Sequence, residues 1–280
     1  CSNASPVGNC LSAVSAGSTG SYCAGAQTAT GNAVPCKQDS DCPPACCCDH
    51  LEEQMFPLAA LGKEYVGARL YQRGKEKDVW RVMAKDDGTQ ATISPNIGVS
   101  IPPLSSGQFF EFETDKDFIL KANKPMLMVQ YMAGSFSTVT HLIPECLKDS
   151  DCLSKYGFMG VCQPYTNSSK KYCAAIGDPS MLLNVATGQY LEDYIFLVPD
   201  KYNKSYISVI AKAGTLVELD GQVQSPSWFK PVGSSPWRVA RLPIKPGSHR
   251  LQGNKPVGLF VYGYDDDVSY GYPGGVGLAQ

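Results

Sequence analysis

The sequence predicts an all-β protein, built as two repeated antiparallel β-sandwich-like units with disulfide-rich inserted loops. Three observations carry this. The 280 residues include 27 Gly, 20 Pro and 15 Tyr and no long Ala/Leu/Glu/Lys run, so short strands and turns dominate. Three stretches recur in the same order, which marks an internal repeat. The twelve cysteines fall in two tracts, with none between 49 and 145 or after 173. Bunched cysteines read as staples in an oxidising compartment.

Taken in order, residues 1–35 are mostly Ser, Gly, Ala, Asn and Thr and read as an N-terminal tether, pinned at Cys10 and Cys23. Residues 36–50 form a cysteine-rich loop, 51–135 the first β unit, 136–177 a disulfide-rich insert and 178–280 the second β unit. The repeat itself pairs "MFPLAALGKEYVGARLY" (55–71) with "MLLNVATGQYLEDYIFLV" (181–198). It also pairs "VWRVMAKDDGTQATI" (79–93) with "YISVIAKAGTLVEL" (206–219), and "LKANKPMLMVQYMAG" (120–134) with "LQGNKPVGLFVYGYD" (251–265). "DDG" (86–88) and "AG" (213–214) sit between strand-like runs and predict hairpin turns. Pro125 and Pro256 follow Asn-Lys and suit the first residue of a strand, because proline lacks an N–H. The inserts repeat as well: "CKQDSDC" (36–42) and "CLKDSDC" (146–152) share one spacing.

Composition excludes several classes. Charged residues make up 18% of the chain and the net charge is -2, which leaves neither a basic field for nucleic acid nor an acidic tail. No apolar run reaches the roughly 18 residues of a membrane helix.

"DHLEEQMFPLAALGKEYVGARL", "GDPSMLLNVATGQYLEDYIFLVP" and "VYGYDDDVSYGYPGG" resemble the IgGFc-binding-protein N-terminal domain family over about residues 50–275. The Gly-Asp-Pro-Ser-Met opening of the second unit and the Tyr-Gly-Tyr-Pro-Gly-Gly close are specific in combination. The resemblance implies binding rather than catalysis, in a secreted or surface protein. The C-x-x-D-S-D-C loops look like those of secreted bacterial proteins. In that setting Cys1, ahead of a small-residue tether, is a candidate for a lipid anchor to the outer membrane; the alternative is a disulfide, since twelve cysteines pair evenly and lipidating Cys1 orphans one.

Each chemistry-bearing cluster has a plainer reading. Cys46, Cys47 and Cys48 beside Asp49 and His50 suggest zinc, yet neighbouring residues point apart and no second ligand pair is matched to Cys42 and Cys46. Disulfides are expected instead, for Cys10, Cys23, Cys36, Cys42, Cys46, Cys47, Cys48, Cys146, Cys152, Cys162 and Cys173, with connectivity left open. His50, His141 and His249 have no nucleophile context, and no G-x-S-x-G elbow or phosphate loop is present. The "DSD" runs at 39–41 and 149–151 offer oxygen ligands for calcium, or Asx turns that position a cysteine. Asp265, Asp266 and Asp267 are the better calcium candidates, and no other cofactor is expected. Tyr262, Tyr264, Tyr270 and Tyr272 read as a strand face, with a contact surface as the alternative. Trp80, Trp228 and Trp237 read as core or sheet-edge residues, and Asn3, Asn167 and Asn203 open glycosylation sequons.

The expected function is an extracellular or cell-surface binding or adhesion module without catalysis, whose partner is a protein, a glycan or further copies of itself. A structural subunit of a surface assembly is the alternative. A secreted hydrolase is third, because no residue stands out as its nucleophile or base.

Overall fold

The computed structural model describes residues 10–15, 18–27, 33–35, 53–135, 145–164, 169–266 and 268–277. The chain divides into two compact units, 1–50 and 51–280. In the first, β1 (Cys10–Ser15), β2 (Ser18–Gln27) and β3 (Ala33–Pro35) form an antiparallel sheet in that order. Cys10 and Cys23 stand opposite one another in its register. The stretch read as a tether therefore carries strands. Ser, Gly and Ala give almost no apolar periodicity, but backbone pairing does not require it.

The second unit holds two larger sheets. The first is made by β4 (Gly62–Gly67), β5 (Asp78–Ala84), β6 (Ala91–Ser94), β7 (Phe109–Thr114), β8 (Phe118–Met132) and β11 (Ser180–Leu183). The second contains β12 (Leu191–Val198), β13 (Lys204–Lys212), β14 (Val217–Leu219), β15 (Gln222–Val223), β16 (Lys230–Pro231), β17 (Trp237–Pro243), β18 (Gly247–Asp265) and β19 (Val268–Pro273). Between β8 and β11 in the chain come α1 (Asp149–Tyr156) and the hairpin of β9 (Gly160–Pro164) and β10 (Lys171–Ala175).

One pairing scheme occurs in both sheets. The first half of β8 pairs with β4 and β6 and its second half with β5 and β11. The first half of β18 pairs with β12 and β14 and its second half with β13 and β19. β5 also pairs with β7, and β13 with β17. The side chains agree. Tyr65 donates to Met126 O and accepts from Gly62 N; Tyr194 donates to Val257 O and accepts from Leu191 N. β11 follows the boundary drawn at 178, yet it completes the first sheet.

This scheme corrects two local expectations. Pro125 and Pro256 do not begin strands. Each lies inside a long strand, where the register with β4 or β12 slips. A bulge suits proline because no ladder N–H is needed there. The preceding Asn fills the gap. Asn123 Oδ1 accepts from Gln90 N at 2.8 Å while Asn123 N donates to Gln90 O; Asn254 makes the same pair with Leu216. The turns at 86–88 and 213–214 are likewise not hairpins, because the strands on either side both pair with the long strand. A two-residue hairpin occurs at Asp220-Gly221 between β14 and β15, with φ of 52° and 74°. An Asp-Gly pair accepts that double positive φ readily.

Burial follows the pattern of each strand. β5 alternates, placing Trp80, Val82 and Ala84 inward with Phe112, Phe118 and Met128. β13 is buried along nearly its whole length, as a central strand covered on both faces. One core lies within each sheet's strands. Another joins the sheets, with Val66, Leu70, Ile119 and Met132 meeting Tyr206, Ile210, Phe260 and Tyr262.

The insert is stapled by Cys146–Cys162 and Cys152–Cys173. Its DSD motif works as backbone chemistry. Asp151 Oδ2 accepts from Leu147 N at 2.9 Å and Asp149 Oδ1 from Cys162 N at 2.8 Å. Both acids lie in the first turn of α1, where they complement the helix dipole. The Leu147 N–H holds the Asp151 carboxyl below its ordinary value. The helix ends at Gly157, whose φ of 76° suits a glycine.

Candidate functional site

Two regions of the 51–280 unit offer contact chemistry. The first is the outer face of the second sheet. Asp193, Gln252, Glu218 and Val223 stand opposite one another across β12, β18, β14 and β15, so they share a face. Ile195 and Leu197 continue that face along β12, opposite Arg250 and Ser248. Ile195 is 79% exposed, Leu197 59% and Val223 63%. Around them Arg250 Nε donates to Asp193 Oδ1 at 2.9 Å, which holds the Asp193 carboxyl below its ordinary value. The arrangement is an apolar centre with a charged border.

The second region is a cleft at the seam between the sheets, enclosing about 390 Å³. Glu64 of β4, Lys121 of β8, Lys212 of β13 and Trp237 of β17 line it. Trp237 Nε1 donates to Glu64 Oε1 at 3.1 Å, and Lys121 Nζ lies 3.1 Å from Glu64 Oε2.

A buried polar network fixes the sheets that carry these regions. Tyr262 Oη accepts from Tyr71 N at 3.0 Å, Tyr264 Oη donates to Tyr71 O at 3.2 Å, and the Tyr71 ring stacks on Tyr206 at 4.2 Å. Burial pushes the Tyr262 hydroxyl up to about 12, so it stays protonated in this network. Arg241 Nε donates to Arg69 O at 2.7 Å and its other end pairs with Asp117. Asp78 Oδ2 accepts from Leu70 N at 2.7 Å and from Gln130 Nε2 at 2.8 Å.

Burial raises the Asp78 carboxyl to about 6, outweighing those two donors. A raised folded-state value means the folded protein holds the proton between about pH 4 and pH 6 while the unfolded chain has released it. Stability from this group therefore falls as pH rises through that window. Asp78→Asn keeps an acceptor for both donors and removes the buried charge. We expect it to stabilise the protein by on the order of 2–3 kcal/mol at pH 7.5, with the gain gone near pH 4. Urea unfolding at the two pH values checks this, and an unchanged difference between them would rule out the charge as cause.

The family described as IgGFc binding protein matches residues 24–263. The chain belongs to that family. No curated protein matches this family member. A solved structure described as an anti-sigma factor domain-containing protein is 9% identical, with 78% of this chain and 84% of that chain covered and a TM-score of 0.18.

In this IgGFc-binding family member the other candidates take structural places. Tyr262 and Tyr264 are buried, while Tyr270 and Tyr272 are half-buried. Trp80 and Trp237 are buried and Trp228 is 49% exposed. Asp265 accepts from Asn203 N at 3.0 Å and from Asp266 N at 2.8 Å, and Asp266 pairs with Gln163. His249 places Nδ1 2.7 Å from Asp220 Oδ2 and Nε2 2.8 Å from Lys245 O. Both ring nitrogens are engaged, Nδ1 with the β14–β15 hairpin and Nε2 with the connection between β17 and β18. The Sγ atoms of Cys146, Cys152 and Cys173 lie within 4.8 Å of one another, all three within the two disulfides. Cys1, Cys36, Cys42, Cys46, Cys47, Cys48, Asp49, His50, His141, Asn3, Asn167 and Asp267 lie outside the described residues, as do the side chains of Cys10 and Cys23. No helix among the described residues is long and apolar enough to cross a membrane.

The sequence reading missed the Ile195–Leu197 face and the cleft. "YIFLV" has apolar residues at every position, so alternation could not show which of them point outward. Arg250 opposite Ile195 is a cross-strand relation that depends on register.

Proposed function

We propose that this chain is an extracellular protein-binding or adhesion module that acts by contact area rather than by chemistry, with no cofactor. The observation that carries it is the outer face of the second sheet, where Ile195 and Leu197 are held outward inside a charged border. Apolar centres with polar rims are how non-obligate interfaces are built. Family membership supports a protein ligand. The two disulfides of the insert support an oxidising, extracellular compartment. In this reading 51–135 and 178–280 are two β units of one scaffold, joined by the 136–177 insert.

The first ligand to test is immunoglobulin Fc, which the family's description names. In surface plasmon resonance, Fc is expected to bind the wild-type chain. The double variant Ile195→Asp/Leu197→Asp is expected to bind at least about tenfold more weakly, as for loss of a central apolar anchor. Fc that ignores both proteins, or binds both equally, overturns the reading as stated.

A second reading, as a subunit of a surface assembly, is favoured by one feature. Among the described residues β12 pairs with β18 alone, which leaves its other edge without a strand partner. Sedimentation separates the two. Oligomers of the wild-type chain that the double variant abolishes favour assembly, and a monomer in both favours a receptor-like module.

A further inference from the structure

We infer that the cleft at the seam of the two sheets is a binding site for a carboxylate-bearing sugar, of the hexuronate or sialate class. Its volume of about 390 Å³ fits small-molecule sites, which run from roughly 300 to 1,000 Å³. Its wall is a chain of contacts running Lys121, Glu64, Trp237, Lys212. Lys121 Nζ lies 3.1 Å from Glu64 Oε2, Trp237 Nε1 lies 3.1 Å from Glu64 Oε1, and Lys212 Nζ sits 5.2 Å from the Trp237 ring centroid.

The charges do not balance. Glu64 already receives Lys121, Trp237 and the Thr187 hydroxyl at 3.3 Å, so its carboxylate is spoken for. Lys212 has no carboxylate partner among the described residues. The cleft thus presents two ammonium groups and one satisfied carboxylate, a net charge that suits a single anion.

The rest of the lining selects the kind of anion. Ser94 at the end of β6 and Ser234 of the loop between β16 and β17 add hydroxyl-bearing side chains to the lining, and Pro95 and Pro236 add apolar surface. Hydroxyls beside small apolar faces match the alternating O–H and C–H surface of a pyranose ring. A bare carboxylate would use only the lysines, and a neutral sugar only the hydroxyls.

Isothermal titration of the full chain with methyl glucuronide tests this, with methyl glucoside and acetate as the two partial ligands. The glucuronide is expected to bind at least about tenfold more tightly than either, the factor a charge-assisted contact supplies. Lys212→Met keeps the aliphatic stem, and Lys212 is exposed, so the fold should persist. This variant is expected to lose about tenfold for the glucuronide and nothing for the glucoside. Absence of glucuronide binding, equal binding of the glucoside, displacement of the glucuronide by equimolar acetate, or an unchanged Lys212→Met each overturns the inference. The cleft shares no residue with the Ile195–Leu197 face, so the two tests fail independently.

Discussion

Arg73→Met is expected to cost about 3–5 kcal/mol of folding stability, the scale for removing one member of a buried charged network. Arg73 is 2% exposed. Its Nη1 donates to Ile176 O at 2.5 Å, its Nη2 to Ala133 O, and its Nε lies 3.6 Å from Glu76. The guanidinium also stands 4.4 Å from the centroid of the Tyr264 ring. One side chain therefore ties the end of β8, the exit of the insert and β18 to the loop before β5. Met fills similar volume but donates nothing. Two carbonyls then lose their partner, and Glu76 keeps only the N–H groups of Arg73 and Gly74. Arg73→Lys is expected to recover less than half of the loss, because one ammonium cannot span carbonyls that a planar fork reaches together. Urea unfolding measures both. A midpoint for Arg73→Met that shifts by less than the equivalent of about 1 kcal/mol would show that the clamp carries no weight.

The same clamp shows where the sequence stops being readable. The all-β class was legible, because β-branched and aromatic runs separated by Gly, Pro and Asn are local signals. The match of "NKP" at 123–125 and 254–256 was legible too. Its meaning was not, because a bulge depends on which strand lies alongside: Asn123 acts through Gln90 and Asn254 through Leu216. The four tyrosines from 262 to 272 read correctly as strand residues, yet nothing local said that Tyr262 and Tyr264 would hold the backbone of Tyr71 across 191 and 193 residues. The candidate sites were the least legible. Lys121, Glu64, Trp237 and Lys212 come from four strands of two sheets, and each alone is an ordinary surface or core residue. Cysteine spacing announced bridges in the insert but left their partners open. The backbone decided that by bringing Cα atoms to 5.9 Å for Cys146–Cys162 and 5.5 Å for Cys152–Cys173.

Removing Cys152–Cys173 by a double alanine substitution is expected to cost about 3 kcal/mol, the loop-closure value for a bridge of this span. Its cysteines are 21 residues apart, both are buried, and they pack with Cys146 and Phe158. The loss should be felt unevenly. The insert is small, and its core is largely its own bridges and Phe158, whereas the sheets keep separate cores. The insert is therefore the part expected to open first, with cleavage between 145 and 175 appearing in limited proteolysis while the sheets stay protected. It is also coupled to the Arg73 clamp, since Met159 N donates to Arg73 O at 2.5 Å and Arg73 holds Ile176 O. Loosening the insert releases both contacts at once. Combining the double alanine with Arg73→Met should then cost less than the two losses added together, because each removes part of what the other depends on. Strict additivity in urea unfolding, or protease cuts within the sheets before the insert, would show that the insert and the clamp stabilise the fold separately.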